Sequence, residues 1–212
     1  MLESYYTVNH QGSEELTIQK SRFIGHVKRC ETEEEAQTFI ENMKKQYKDA
    51  THNCSAYMIG EHDLIQKAND DGEPSGTAGV PILEVLKKMG LKDTVVVVTR
   101  YFGGTKLGAG GLIRAYSSAT SEAIKSTGVV KRELMQTMKV SIDYTQLGKV
   151  ENEIRNSSYH LDDIQYLEKV ELDVKVETNQ IEAFETWITN LTSGQAYVCH
   201  GECNYSDTPI SL

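Results

Sequence analysis

Between Val95 and Tyr116 the chain reads VVVVTRYFGGTKLGAGGLIRAY, which sets Gly103, Gly104, Gly108, Gly110 and Gly111 among three cations, Arg100, Lys106 and Arg114. The valine run has the character of a buried strand and the apolar spacing after Gly111 that of a helix, so the glycines lie in the turn that opens a helix. Glycine lets a ligand approach the main chain closely, and the unpaired N–H groups of a first helical turn attract negative charge. The chemistry on offer is that of an anion receptor, phosphate above all. It is neither of the familiar phosphate loops. A P-loop places its lysine after the last glycine, whereas Lys106 precedes Gly108, and the dinucleotide fingerprint GxGxxG needs a spacing that Gly108, Gly110 and Gly111 do not have. The same glycines would also suit a tight strand-to-helix crossover with close packing. The flanking cations favour the anion site.

Other residue types invite further chemistry. Tyr101 and Phe102 adjoin Arg100 and can stack on a base while Lys106 and Arg114 neutralise phosphate. Neighbours in a strand point to opposite faces, so one of the two at most meets a ligand. The alternative keeps Phe102 in the core and leaves Tyr101 partly exposed. Asp70, Asp71 and Glu73 share the turn DDGEPSG. They are either Mg²⁺ ligands that would help hold a phosphate or, as is commoner for three acids without a scaffold, a solvated turn. Thr77 or Ser75 is the expected N-cap of the helix that follows, with Pro81 tolerated in its first turn. His52 with Cys54, and Cys199 with Cys203, have the residue types of a zinc site, but the two pairs fall in different domains, and buried thiols with a satisfied histidine are the better reading. No complete catalytic constellation and no cofactor motif is present.

Periodicity supplies the elements that must position these residues. Ala36, Phe39, Ile40, Met43 and Tyr47 fall on one helical face, as do Ile82, Val85, Leu86 and Met89, and again Leu112, Ile113, Tyr116, Ala119, Ala123 and Ile124. Strands are expected around 16–18, 23–27, 55–59, 64–67 and 94–100, the last central and buried. This is an α/β first domain. Beyond Gly128, Val140, Ile142 and Tyr144 alternate with polar residues; Leu147, Val150 and Ile154 take helical spacing; and a strand near 159–167 precedes the clean alternation of Val170, Leu172, Val174 and Val176. A second helix through Ile181, Phe184, Ile188 and Leu191 ends at Gly194, before a strand around 196–199. The order βαββαβ is that of a ferredoxin-like domain. The predicted domains are residues 1–133 and 134–212, and the whole is α+β.

Composition narrows the function classes. The chain has 212 residues, 39% of them hydrophobic, and a net charge of −9. Residues 1–133 hold 17 Lys and Arg against 18 Asp and Glu, while 134–212 hold 5 against 13. An acidic chain does not bind polyanions over its whole surface, so any RNA contact belongs to a local basic patch in the first domain. No apolar run is long enough for a membrane span, and the polar start MLESYYTVNHQG lacks the regions of a signal peptide. The expectation is a cytoplasmic protein with no membrane partner, whose four cysteines are free thiols.

DDGEPSGTAGVPIL (Asp70–Leu83), followed by VVVTRYFGGTKLGAGGLIRAYS (Val96–Ser117), closely resembles the Impact/YigZ family in order and spacing, and the remainder resembles its bacterial members. The resemblance implies a first domain of the same fold group as domain IV of elongation factor G and a ferredoxin-like second domain similar to its domain V. It also implies a link to translational control, since the eukaryotic members compete for the activator of a stress-responsive initiation-factor kinase. The expected function is a translation-associated regulatory binding protein, contacting RNA or the ribosome through the Gly-rich loop and a protein partner through the acidic second domain. An enzyme acting on a small phosphorylated ligand and a protein-only regulator are the alternatives.

Overall fold

The computed structural model describes residues 1–211, which divide into two compact units. The N-terminal unit comprises Tyr5–Lys131 and the chain end from Asp207; the C-terminal unit comprises Arg132–Ser206 and Met1–Ser4. In chain order the first stretch forms β1 (Ser4–Val8), β2 (Gly12–Ile18), β3 (Ser21–Arg29), α1 (Glu33–Gln46), β4 (His52–Ile59), β5 (Ile65–Asn69), α2 (Gly79–Lys88), β6 (Thr94–Tyr101) and α3 (Gly108–Thr127). Then come β7 (Val129–Ile142), α4 (Leu147–Arg155), β8 (His160–Tyr166), β9 (Val170–Glu177), α5 (Ile181–Leu191) and β10 (Tyr197–Ile210).

The N-terminal unit is a mixed α/β layer structure on a sheet of order β2-β3-β6-β4-β5, each neighbouring pair antiparallel. β6 is central and buried from Thr94 to Arg100. Side chains alternate along a strand, so its two faces feed two cores. Val95 and Val97 pack with Ala36, Phe39 and Met43 of α1, whereas Val96 and Val98 pack with Ile82 and Leu86 of α2 and Leu112 and Tyr116 of α3. α1 starts at an N-cap, Thr32, whose Oγ1 accepts from the Glu35 amide at 3.2 Å, while the Glu35 carboxylate accepts from the amide of Glu31, the residue before the cap, at 2.9 Å. β1, which the apolar pattern does not announce, is held by the Lys92 amide donating to Tyr6 O at 2.8 Å and by Val8 in the core.

The helix start expected from Thr77 or Ser75 is built differently. Ala78 is the residue before α2 and makes no side-chain cap, while Thr77 turns back to donate to Pro74 O at 2.6 Å. Asp70 does the capping from eight positions upstream: its Oδ1 accepts from Ala78 at 3.1 Å and Gly79 at 2.8 Å, and its Oδ2 from Gly76 at 2.9 Å. A carboxylate is the better acceptor for the unpaired amides of a helix start, and the turn brings it there.

The C-terminal unit is ferredoxin-like, βαββαβ, with strands ordered β10-β7-β9-β8; β1 also pairs with β7 in the same five-stranded sheet. β7 and β8 both run antiparallel to β9. The alternation along β9 is complete: Val170, Leu172, Val174 and Val176 are buried and their neighbours are not. These residues meet Val150 and Ile154 of α4 and Phe184 and Ile188 of α5 in one core. Among the described residues no helix is long and apolar enough to cross a membrane.

Candidate functional site

The register of β6 decides where the loop cations point. Arg100 has the parity of Val96 and Val98, so it turns under α3 rather than outward. It lies opposite Phe23 on β3 and His52 on β4, and is only 5% exposed. Its Nη1 donates to Glu73 Oε1 at 2.6 Å, and its guanidinium lies 5.4 Å over the Phe23 ring and 5.5 Å over the Phe102 ring. Its Nε is buried without a hydrogen-bond partner among the described residues. The expectation of three equivalent surface cations is therefore corrected: strand alternation places Arg100 inside, and only Lys106 and Arg114 are exposed, making no ion pair among the described residues.

A polar network surrounds this pair. Tyr116 donates to Glu73 Oε1 at 2.8 Å, and Cys54 Sγ lies 3.3 Å from the Tyr116 hydroxyl and 3.0 Å from Asp70 O, either of which can accept its single proton. Burial pushes the Cys54 thiol up to about 12, with the nearby carboxylates adding to it against the Tyr116 hydrogen bond. The thiol stays protonated at neutral pH and is no nucleophile. His52 sits with Nδ1 at 2.8 Å from Asp71 O, which as acceptor fixes the proton on Nδ1, and with Nε2 3.8 Å from Glu73 Oε2.

The three acids of the DDGEPSG turn do not converge on one centre. Asp70 serves α2; Asp71 accepts from the Asn53 amide at 2.7 Å and pairs with Lys44; Glu73 is bound to Arg100 and Tyr116. Each carboxylate is occupied by donors of this chain, which accounts for them without a metal. Burial pushes Asp70 upward, but the amides of Gly76, Gly79 and Ala78 outweigh it and hold the carboxyl below its ordinary range.

The glycine loop then leads to α3. Gly103 is required by close approach: a Cβ there would lie 1.9 Å from Lys20 O, a backbone atom. Gly108, at φ +68°, begins α3 in the left-handed region. Gly104 has φ +86° and open space around it, Gly110 is exposed, and a Cβ at Gly111 would lie 3.0 Å from that of Leu107. No side chain caps this helix start and no acid occupies its first turn. Beside it opens a pocket of about 330 Å³, lined among others by His52, Glu73, Arg100, Phe102, Lys106 and Leu112. Phe102, 47% exposed, is the aromatic that faces it; Tyr101 points the other way and donates to Asp49 at 3.2 Å, so the alternative of a core Phe102 is not what the strand delivers. Arg114, in the second turn of α3, stands outside the pocket next to Gly110. His52, Glu73 and Phe102 are thus joined to the loop by the sheet. The parity of residues 96, 98 and 100 signals the inward Arg100, but nothing in the sequence pairs position 100 with position 52.

Comparison with known proteins agrees over the whole chain. The Impact N-terminal domain matches residues 19–124, and a domain of unknown function (DUF1949) matches 140–195. The Bacillus subtilis (strain 168) protein named IMPACT family member YvyE is 58% identical over 211 residues, covering 100% of this chain and 97% of that one. IMPACT family member YigZ of Escherichia coli (strain K12) is 35% identical over 67% of this chain and 74% of its own, and the Schizosaccharomyces pombe Protein IMPACT homolog is 35% identical over 50% of this chain and 39% of its own. A solved structure titled "Crystal structure of an hypothetical protein" superposes with a TM-score of 0.61 at 27% identity, covering 95% of this chain and 99% of that one. With both of its domains matched and a relative 58% identical over 211 residues, the chain belongs to the Impact family.

Proposed function

We propose that this chain is a cytoplasmic, translation-associated regulatory binding protein that receives RNA phosphate, on the ribosome or free, at the start of α3. The observation that carries the reading is the uncapped, acid-free first turn of a 20-residue helix flanked by the exposed Lys106 and Arg114. Unpaired amides and two cations that make no ion pair among the described residues form a local anion receptor on a chain whose net charge of −9 discourages contact elsewhere. The acidic C-terminal unit, with 6 basic against 14 acidic residues, is suited to a protein partner.

Sedimentation of the full chain with ribosomes across a salt series tests the reading. Each phosphate contact releases counterion, about 0.7 in log–log slope per contact on single strands, so two cations give a shallow but measurable dependence. Gly110→Asp places a carboxylate at the receiving amides and beside Arg114, and should cut association; Asn179→Asp, an equal charge change on the C-terminal unit, should not. Absence of co-sedimentation at low salt, or equal loss from both variants, rejects the proposal.

A further inference from the structure

We infer that the pocket beside the start of α3 holds one phosphorylated nucleotide, its phosphate on the α3 amides and Lys106 and its base against Phe102. The inference rests on the phosphate-receiving role proposed for the loop and names the unit that is bound. Three features converge within the N-terminal unit. The volume of about 330 Å³ falls at the small end of the range for small-molecule sites, enough for a single nucleotide and too little for a duplex. Arg100 lines the pocket, is 5% exposed, and carries a buried Nε with no acceptor among the described residues. A buried donor without an acceptor is rare in a folded protein, and a ligand oxygen or ring nitrogen supplies the missing partner.

The third feature is the wall chemistry. Phe102 keeps 47% of its surface exposed although it stands beside an otherwise apolar wall of Pro74, Leu107 and Leu112. Arg100, 5.5 Å over that ring, helps hold it, so the exposed face is a fixed platform on which a flat base can stack. Glu73, although it lines the same pocket, does not oppose an anion at the loop, because its buried carboxylate is already paired with Arg100 at 2.6 Å. Two other cavities lack this combination. The one between α1 and β5 (about 290 Å³) and the one on the C-terminal sheet (about 540 Å³) contain none of the buried side-chain atoms that lack a partner.

The ligand chemistry has two sources, a free nucleotide or the phosphorylated end of an RNA chain, and the test separates them. Full-length protein is titrated by calorimetry and by amide NMR with adenosine 5′-monophosphate, adenosine, inorganic phosphate, and a hexa-adenylate with and without a 5′-phosphate. The monophosphate should saturate a single site and perturb the amides of Gly108–Gly111, Phe102 and His52, with adenosine and inorganic phosphate each about tenfold weaker. Phe102→Ala should weaken it at least about fivefold through lost stacking, and Lys106→Ala by about two- to fivefold. A tighter phosphorylated hexamer identifies the source as an RNA end; preference for the free nucleotide identifies a small metabolite. The inference is overturned if the monophosphate does not saturate, if inorganic phosphate binds as well as it does, or if neither variant changes its affinity. Ribosome association without nucleotide saturation overturns this assignment alone. Nucleotide saturation without ribosome association upholds it and removes the broader reading.

Discussion

Removing the guanidinium of Arg100 would leave the Glu73 carboxylate charged and buried with only the Tyr116 hydroxyl as a close donor. Breaking a buried pair from one side costs about 3–5 kcal/mol, whereas surface charges away from special features change stability by about 0.5 kcal/mol or less. Urea unfolding should therefore find Arg100→Ala strongly destabilised, Lys106→Ala and Arg114→Ala close to the parent, and Arg100→Met with Glu73→Gln together milder than Arg100→Ala alone. Three equal losses, or three negligible ones, would contradict the placement of Arg100. This residue also shows how far a sequence carries a site. Its type and its neighbourhood of glycines are visible, and they suggest a ligand cation. Its parity with Val96 and Val98, which sends it inward, is equally visible but competes with the stronger impression of a basic loop. Its neighbour His52 is delivered by strand register across β4 and β6, and its partner Glu73 by the turn between β5 and α2, information that no local pattern contains.

The helices and strands divide along similar lines. α1, α3, β6 and β9 announce themselves because burial on one face, or on both, imposes a period that the residues must obey. α2 shows its apolar stripe but not its cap, since the capping carboxylate, Asp70, comes from outside the window in which helix starts are sought. Asp70→Ala should cost about 1–2 kcal/mol at neutral pH, as losses of N-caps do. The pH dependence has a definite sign. The folded carboxyl titrates below its ordinary value, so its contribution is fully present above the unfolded value of about 3.9 and is lost as pH falls through the lower folded value. The stability gap between parent and Asp70→Ala, measured by urea unfolding at pH 7 and in a series down to pH 2.5, should narrow only below about pH 4. A gap that is constant over the whole series would assign the loss to packing instead of to the charge.

On the scale of the whole molecule, two features could not be read from periodicity: β1, and the assignment of each chain terminus to the unit formed by the other half of the sequence. Short polar-edged segments such as Asp207–Pro209 carry too little apolar signal to reveal where they pack. Yet Asp207 pairs with Arg29 at 2.7 Å, and Ile210 rests on the core of the N-terminal unit. Truncation after Ser206 should lower the stability of that unit by about 1–2 kcal/mol. In hydrogen exchange this would appear as about five- to thirtyfold faster opening of β3 and α3 core amides, with β9 amides unchanged. Equal acceleration in both units, or none in either, would contradict the division. The exchanged ends also bear on how the protein is made. A ribosome releases a chain from its amino end, and domains ordinarily close in that order as they emerge. Here the unit that contains most of the first 131 residues waits for a clasp encoded after the entire second unit. Its final consolidation must follow, rather than precede, synthesis of the second unit.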